Sequence, residues 1–292
     1  MWERKNCFWN SSFLFLVVAN LSFAQQKQGA IWRMGNWEIN FNQSPRAIYQ
    51  RPGIPAKTSS ETVYCDAQGR VLATTNRFDS TRNRFGKLMP NAQPILSGWV
   101  NDTGDINRVF VPDPADVNQF YLFKQGRSQN GFSDTSFIYY QKIDMGLDGG
   151  KGDLVFPGFK KFLSGTLNTP GVNSYDVIKH PNGHDYVIGY VNSISKCIAI
   201  RLLSDSGVGK EICISDTFTH EKYPLWPPSV ETQIKFSPNG KFLFLNTWDP
   251  VYGSRYQGIL YKLDLNVPRA TRICTLSVLP FNISVEEYIS SI

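Results

Sequence analysis

Four times along the chain a polar turn is followed at once by an apolar run. These are CDAQGRVLATT at 65–75, DPADVNQFYLFK at 113–124, HPNGHDYVIGY at 180–190 and FSPNGKFLFLNT at 236–247. In such a turn Asp or Asn bonds its own backbone, Pro presets φ, and Gly supplies the positive φ that ends it. The apolar runs, rich in aromatic and β-branched residues, read as strands. Each is preceded by another strand candidate: ETVYC at 61–65, RVFVP at 108–112, SYDVIKH at 174–180 and ETQIKF at 231–236. Each copy is therefore a hairpin. Between copies lie FIYYQKIDM at 137–145, CIAIRLLS at 197–204, GILYKLDL at 258–265 and ATRICTLSV at 270–278. Two hairpins per repeat make a four-stranded antiparallel sheet, and no helical period runs beyond two turns. Recurrence of such a unit is the sequence sign of a β-propeller, because stacked blades bury faces that a lone blade cannot. The spacing predicts about five blades or an incomplete larger ring. A β-sandwich is the competing architecture, but it leaves the repeated turn unexplained. AIWRMGNWEINF at 30–41 is expected to join the late strands GILYKLDL and ATRICTLSV and close the ring.

The first 24 residues stand apart. Arg4 and Lys5 precede the uncharged FLFLVVANLSF at 13–23, and Ser22 and Ala24 are small residues at the positions a signal peptidase reads. A cleavable export signal over 1–24 is predicted, with the propeller over 25–292 and no span of the membrane after cleavage. Aromatic residues make up 14% and charged residues 18%, a balance that favours strands. The net charge of +6 is spread without a Lys/Arg run, so nothing points to nucleic acid. Export permits disulfides. Cys65, Cys197, Cys213 and Cys274 follow the signal without a C-x-x-C pair, which disfavours a zinc ribbon. Cys197 and Cys213 could face each other across a hairpin; free buried thiols are the other reading.

Several segments occur in a distinctive order: IWRMGNWEINFN, KLMPNA, FVPDPADVNQFYLF, YYQKIDMGLDGGKGDLV, VIKHPNGHDYVIGYVN and IKFSPNGKFLFL. Together they resemble the N-terminal β-propeller of secreted surface proteins from gliding and related Bacteroidetes. The resemblance implies a propeller exported in association with type IX secretion, and it carries over no enzymatic residues.

Candidate chemistry is sparse. His180 and His184 flank a turn and His220 stands apart, a poor set for zinc, which wants three or four ligands. MGLDGGKGDL at 145–154 is Gly-rich, but no Ser or Thr follows Lys151 as a phosphate loop requires. Asp148 and Asp153 could supply part of a calcium site; the resemblance implies a bulged connection between strands instead. There is no G-x-S-x-G, and Ser206 falls in a hairpin turn. Trp226 and Trp248 sit at strand ends, where an aromatic can stack on a sugar, grip a peptide or pack between blades. No catalytic residue, metal or cofactor is expected. The chain reads as a secreted, non-enzymatic binding or scaffold module with a protein or glycan ligand. The alternatives are a propeller enzyme that cleaves glycans or hydrolyses lactones, and a fragment of a longer surface protein.

Overall fold

The computed structural model describes residues 31–34, 37–43, 47–50, 61–75, 81–92, 108–129, 134–156, 161–162, 175–192, 197–214, 233–249, 255–266 and 269–277. They form five antiparallel sheets, each threaded in chain order. The first holds β1 (Ile31–Met34), β2 (Trp37–Asn40) and β3 (Ala47–Gln50), and the second holds β4 (Thr62–Cys65), β5 (Val71–Thr75) and β6 (Thr81–Asn83). The third holds β7 (Arg108–Pro112), β8 (Gln119–Gln129), β9 (Asp134–Asp144), β10 (Asp153–Leu154) and β11 (Lys161–Phe162). The fourth holds β12 (Tyr175–Lys179), β13 (Tyr186–Asn192), β14 (Cys197–Ser204), β15 (Gly207–Val208) and β16 (Ile212–Cys213). The fifth holds β17 (Gln233–Phe236), β18 (Phe242–Asp249), β19 (Arg255–Asp264) and β20 (Arg269–Ser277).

The third and fourth sheets are four-position blades with a broken outer strand. β10 and β11 pair with two different stretches of β9, and β15 and β16 divide β14 in the same way. The second sheet reaches its fourth position through a single bridge, Arg82 to Leu88. The first sheet departs from expectation. β2 pairs with β1 on one side and with β3 on the other, in a sheet of their own, rather than with the late strands. A hairpin closed by a short turn loses far less chain entropy than a pairing across most of the sequence.

The recurring turn joins the first strand to the second in four sheets. Its leading residue caps it each time: Asp66 accepts from Gln68 N, Asp113 from Ala115 N, His180 Nδ1 from Asn182 N, and Ser237 Oγ from Phe242 N. Three of the four also bond a glycine amide to the leading carbonyl, from Gly69, Gly183 and Gly240 at φ +84°, +75° and +65°. A left-handed residue is needed there, and glycine adopts it without a Cβ penalty. The chain is thus all-β and built from β-propeller blades.

The chain divides into two compact units, 1–112 with 118–123 and 141–160, and 113–117 with 124–140 and 161–292, a division that cuts across β8 and β9 of the third sheet. In the first unit β1 lies beside β4 and β4 beside β7, so first strands neighbour first strands. The core gathers Tyr64, Phe120, Leu122, Ile143 and Leu154, with Tyr64 and Phe120 rings 4.3 Å apart. In the second unit β12 lies beside β17, tied by Asp176, which accepts from Phe236 N at 2.9 Å and pairs with Lys235 at 3.0 Å. Val187, Ile198, Ile234, Leu243 and Leu245 fill the core there.

Candidate functional site

The signal region, Trp226 and His220 lie outside the described residues. Trp248 stands in β18 opposite Tyr256 of β19, and its side chain lies outside them too. His180 is the cap of a recurring turn, with Nδ1 accepting a backbone amide and Nε2 directed at Leu265 O at 3.5 Å. His184 pairs with Asp205 at 2.7 Å. The two histidines thus serve local turns. Among the described residues no group of three His, Cys, Asp or Glu side chains is placed to hold a metal ion.

The Gly-rich 145–154 segment is a tight connection from β9 to β10. Asp144 caps it through Gly146 N, and Asp148 pairs with Lys151 at 3.5 Å. Asp153 is buried and turns the other way, accepting from Asn91 N at 2.9 Å and from Asn91 Nδ2 at 2.7 Å. The three carboxylates are therefore committed to separate partners and do not converge on a shared centre.

Two polar clusters have the ingredients of acid–base chemistry. In the first sheet Arg33 pairs with Glu38 at 2.7 Å and with Glu61 at 3.2 Å, while Tyr49 donates to Glu38 at 2.7 Å. In the fourth sheet Tyr190 donates to Glu211, which also accepts from Asn192 at 2.6 Å; Arg201 donates to Tyr190 at 3.1 Å. Burial, then the hydrogen bond to Glu211, pushes the Tyr190 hydroxyl well above its usual value. Tyr190 therefore stays a proton donor to Glu211, and Arg201 also holds Gly209 O at 3.0 Å. This cluster fastens the chain where the outer strand breaks between β15 and β16. The Cys197–Cys213 disulfide closes that break from the other side, which settles the pairing that the spacing left open.

A different segment faces solvent with unspent groups. Residues 81–92 form a hairpin finger along the edge of the second sheet, TRNRFGKLMPNA, without one acidic residue. Thr81, Arg82 and Asn83 are anchored by pairing with β5. The Asn83 side chain is buried and accepts from Phe85 N at 3.0 Å and Lys87 N at 3.2 Å. Its backbone closes the same turn, through Gly86 N to Asn83 O and Asn83 N to Lys87 O, both at 2.9 Å. Gly86, at φ +73°, occupies the tip. On the return leg Met89 and Ala92 are buried, and Asn91 locks onto Asp153. The finger is thus built before any partner arrives, which lowers the ordering cost of binding.

What it displays is mixed. Arg82, Arg84 and Lys87 are exposed, as are Phe85 at 59% and Leu88 at 44%. The Arg84 guanidinium lies 4.9 Å from the Phe85 ring centre, and Arg82 donates to Gly86 O at 2.8 Å. None of these three cations pairs with a carboxylate among the described residues. Nothing in the hydrophobic pattern marks this finger. Its signal is electrostatic: cations on both sides of a Phe-Gly tip with no intervening acid, hidden within a net charge that looks evenly spread.

Comparison with protein-family models finds no match, and comparison with curated proteins finds none. Among solved structures, the chain is similar to one from Bacteroides uniformis titled a "putative 6-phosphogluconolactonase". The identity is 12%, the match covers 88% of this chain and 71% of that one, and the TM-score is 0.43. A likeness that remote assigns no activity here. No helix among the described residues is long and apolar enough to cross a membrane.

Proposed function

We propose that the chain is an exported, non-enzymatic β-propeller that acts as a binding or scaffold module at the cell surface, and that it binds through the 81–92 finger. The observation that carries this reading is the finger itself: a prebuilt turn with two exposed apolar side chains and three cations that have no carboxylate partner among the described residues. Binding residues are disproportionately found on loops positioned by a rigid scaffold. By contrast, Glu38 and Glu61 are both held by Arg33 and Glu211 by Arg201, which suits a structural use of those acids. The Cys197–Cys213 disulfide supports an oxidising compartment, in keeping with the expected signal.

The test sets binding against turnover. The purified chain is titrated onto washed cell envelopes and separately incubated with sugar lactones and cell-surface glycans. Saturable retention on envelopes without hydrolysis is the expected result. Steady lactone or glycan hydrolysis, abolished by substitution at Glu38 or Glu211, would replace this reading with the enzymatic one.

A further inference from the structure

We propose that the occupant of the finger is an anionic phospholipid surface, with Arg84 and Lys87 meeting lipid phosphates while Phe85 and Leu88 enter the interface beside them. The inference rests on the binding-module reading and narrows its partner. Charge complementarity gives the sign. Arg82, Arg84 and Lys87 are exposed within a few residues, and no carboxylate among the described residues neutralises them. The apolar pair decides the class. A wholly polar polyanion would satisfy the cations and leave Phe85 and Leu88 uncovered, at 59% and 44% exposure. A bilayer interface offers phosphate and upper acyl chain side by side, and interfacial elements use this combination of basic and apolar side chains.

The geometry suits shallow insertion. Gly86 stands at the tip, and among the described residues, its two chain neighbours aside, nothing lies within 4 Å of where a Cβ would stand. Asn83 fixes the turn from beneath, and the Arg84–Phe85 contact holds a cation against the ring that would enter the interface. The finger therefore presents charge and apolar surface at its tip without rearranging.

The experiment is co-sedimentation of the full chain with phosphatidylcholine vesicles, with and without an equimolar share of phosphatidylglycerol. Binding is expected only to the anionic vesicles. Arg84→Glu/Lys87→Glu is expected to weaken it by at least about tenfold. Phe85→Ser/Leu88→Ser is expected to weaken it severalfold and to leave a remainder that salt removes entirely. The milder Arg84→Ala/Lys87→Ala pair serves if charge reversal perturbs folding, which near-UV circular dichroism reports. Absence of binding to anionic vesicles overturns the proposal. So does binding that depends on the two cations alone and is competed by dextran sulfate, which would make the partner a polar polyanion. If envelopes retain the chain while phosphatidylglycerol vesicles do not, the lipid assignment fails and the binding-module reading stands.

Discussion

Gly189→Ala should destabilise the protein, although alanine in mid-strand is ordinarily the better residue. Gly189 sits inside β13, paired to Asp176 on one side and Ile200 on the other. Removing a mid-strand glycine would by itself gain about 0.5–1 kcal/mol. An added Cβ, however, would lie 2.2 Å from Phe236 Cζ and 2.6 Å from its Cε2. Ordinary contact begins near 3.4 Å, so the ring would have to retreat by about an ångström. It has nowhere to go. Phe236 is 6% exposed within the core, and its amide is held by Asp176 at 2.9 Å. Overpacking costs about 1–3 kcal/mol, and a clash of more than an ångström against a buried ring falls in the upper half of that range, about 2–3 kcal/mol, leaving a net loss of about 1–2.5 kcal/mol. Urea unfolding should therefore show a lower midpoint at an unchanged slope. In a Phe236→Leu background the cost should shrink, because the clashing atoms are gone, and a double-mutant cycle isolates that coupling. A Gly189→Ala protein as stable as the parent, or an equal cost in both backgrounds, would refute the packing of β17 against β13.

Three further outcomes follow from the same physics. Replacing Cys197 and Cys213 with serine releases a cross-link spanning 16 residues and should cost about 3 kcal/mol, read from thermal or urea unfolding. Burial pushes the Cys65 thiol up to about 11, so at pH 8 it should resist a thiol reagent in the folded protein and react once unfolded, with peptide mapping to identify the site. Burial alone would raise the Asp66 carboxyl, but hydrogen bonds from the Arg70 amide and guanidinium and from the Gln68 amide outweigh it and hold it below its usual value. Its contribution is thus present above the unfolded pKa of about 4 and lost as pH falls through the lower folded value. Asp66→Ala should lower the unfolding midpoint at pH 7 and approach the parent at pH 2.

Much of the blade was legible because the first hairpin of each repeat is written locally. Asp66, Asp113, His180 and Ser237 cap the turns, three of which end in a glycine at positive φ, and the strands after them are apolar runs. CIAIRLLS at 197–204 coincides with β14 because both its neighbours are strands and it is buried along most of its length. The outer positions were not legible. β10, β11, β15 and β16 are two residues each, too short for alternation to show, and only the strand they join defines them. β6 was missed for a related reason: TRN carries no apolar residue and takes its place from pairing with β5. The histidines and Asp148 drew attention as candidate ligands because a linear sequence cannot show that a side chain is already used by its own turn. The KLMPNA half of the finger drew notice only as part of the resemblance, because its message as a binding element lies in charge without a carboxylate partner among the described residues, which depends on where the acids go.

The central claim is that binding resides in the 81–92 finger rather than in the protein's general positive charge. Two charge reversals of equal size separate these. Arg84→Glu/Lys87→Glu alters the finger, and Lys210→Glu/Lys241→Glu alters exposed lysines of the fourth and fifth sheets. Both variants and the parent are titrated onto washed envelopes at one ionic strength. The account predicts that the finger variant loses at least about tenfold in affinity while the control stays near the parent. Equal losses in both variants, or no loss in the finger variant, would contradict it.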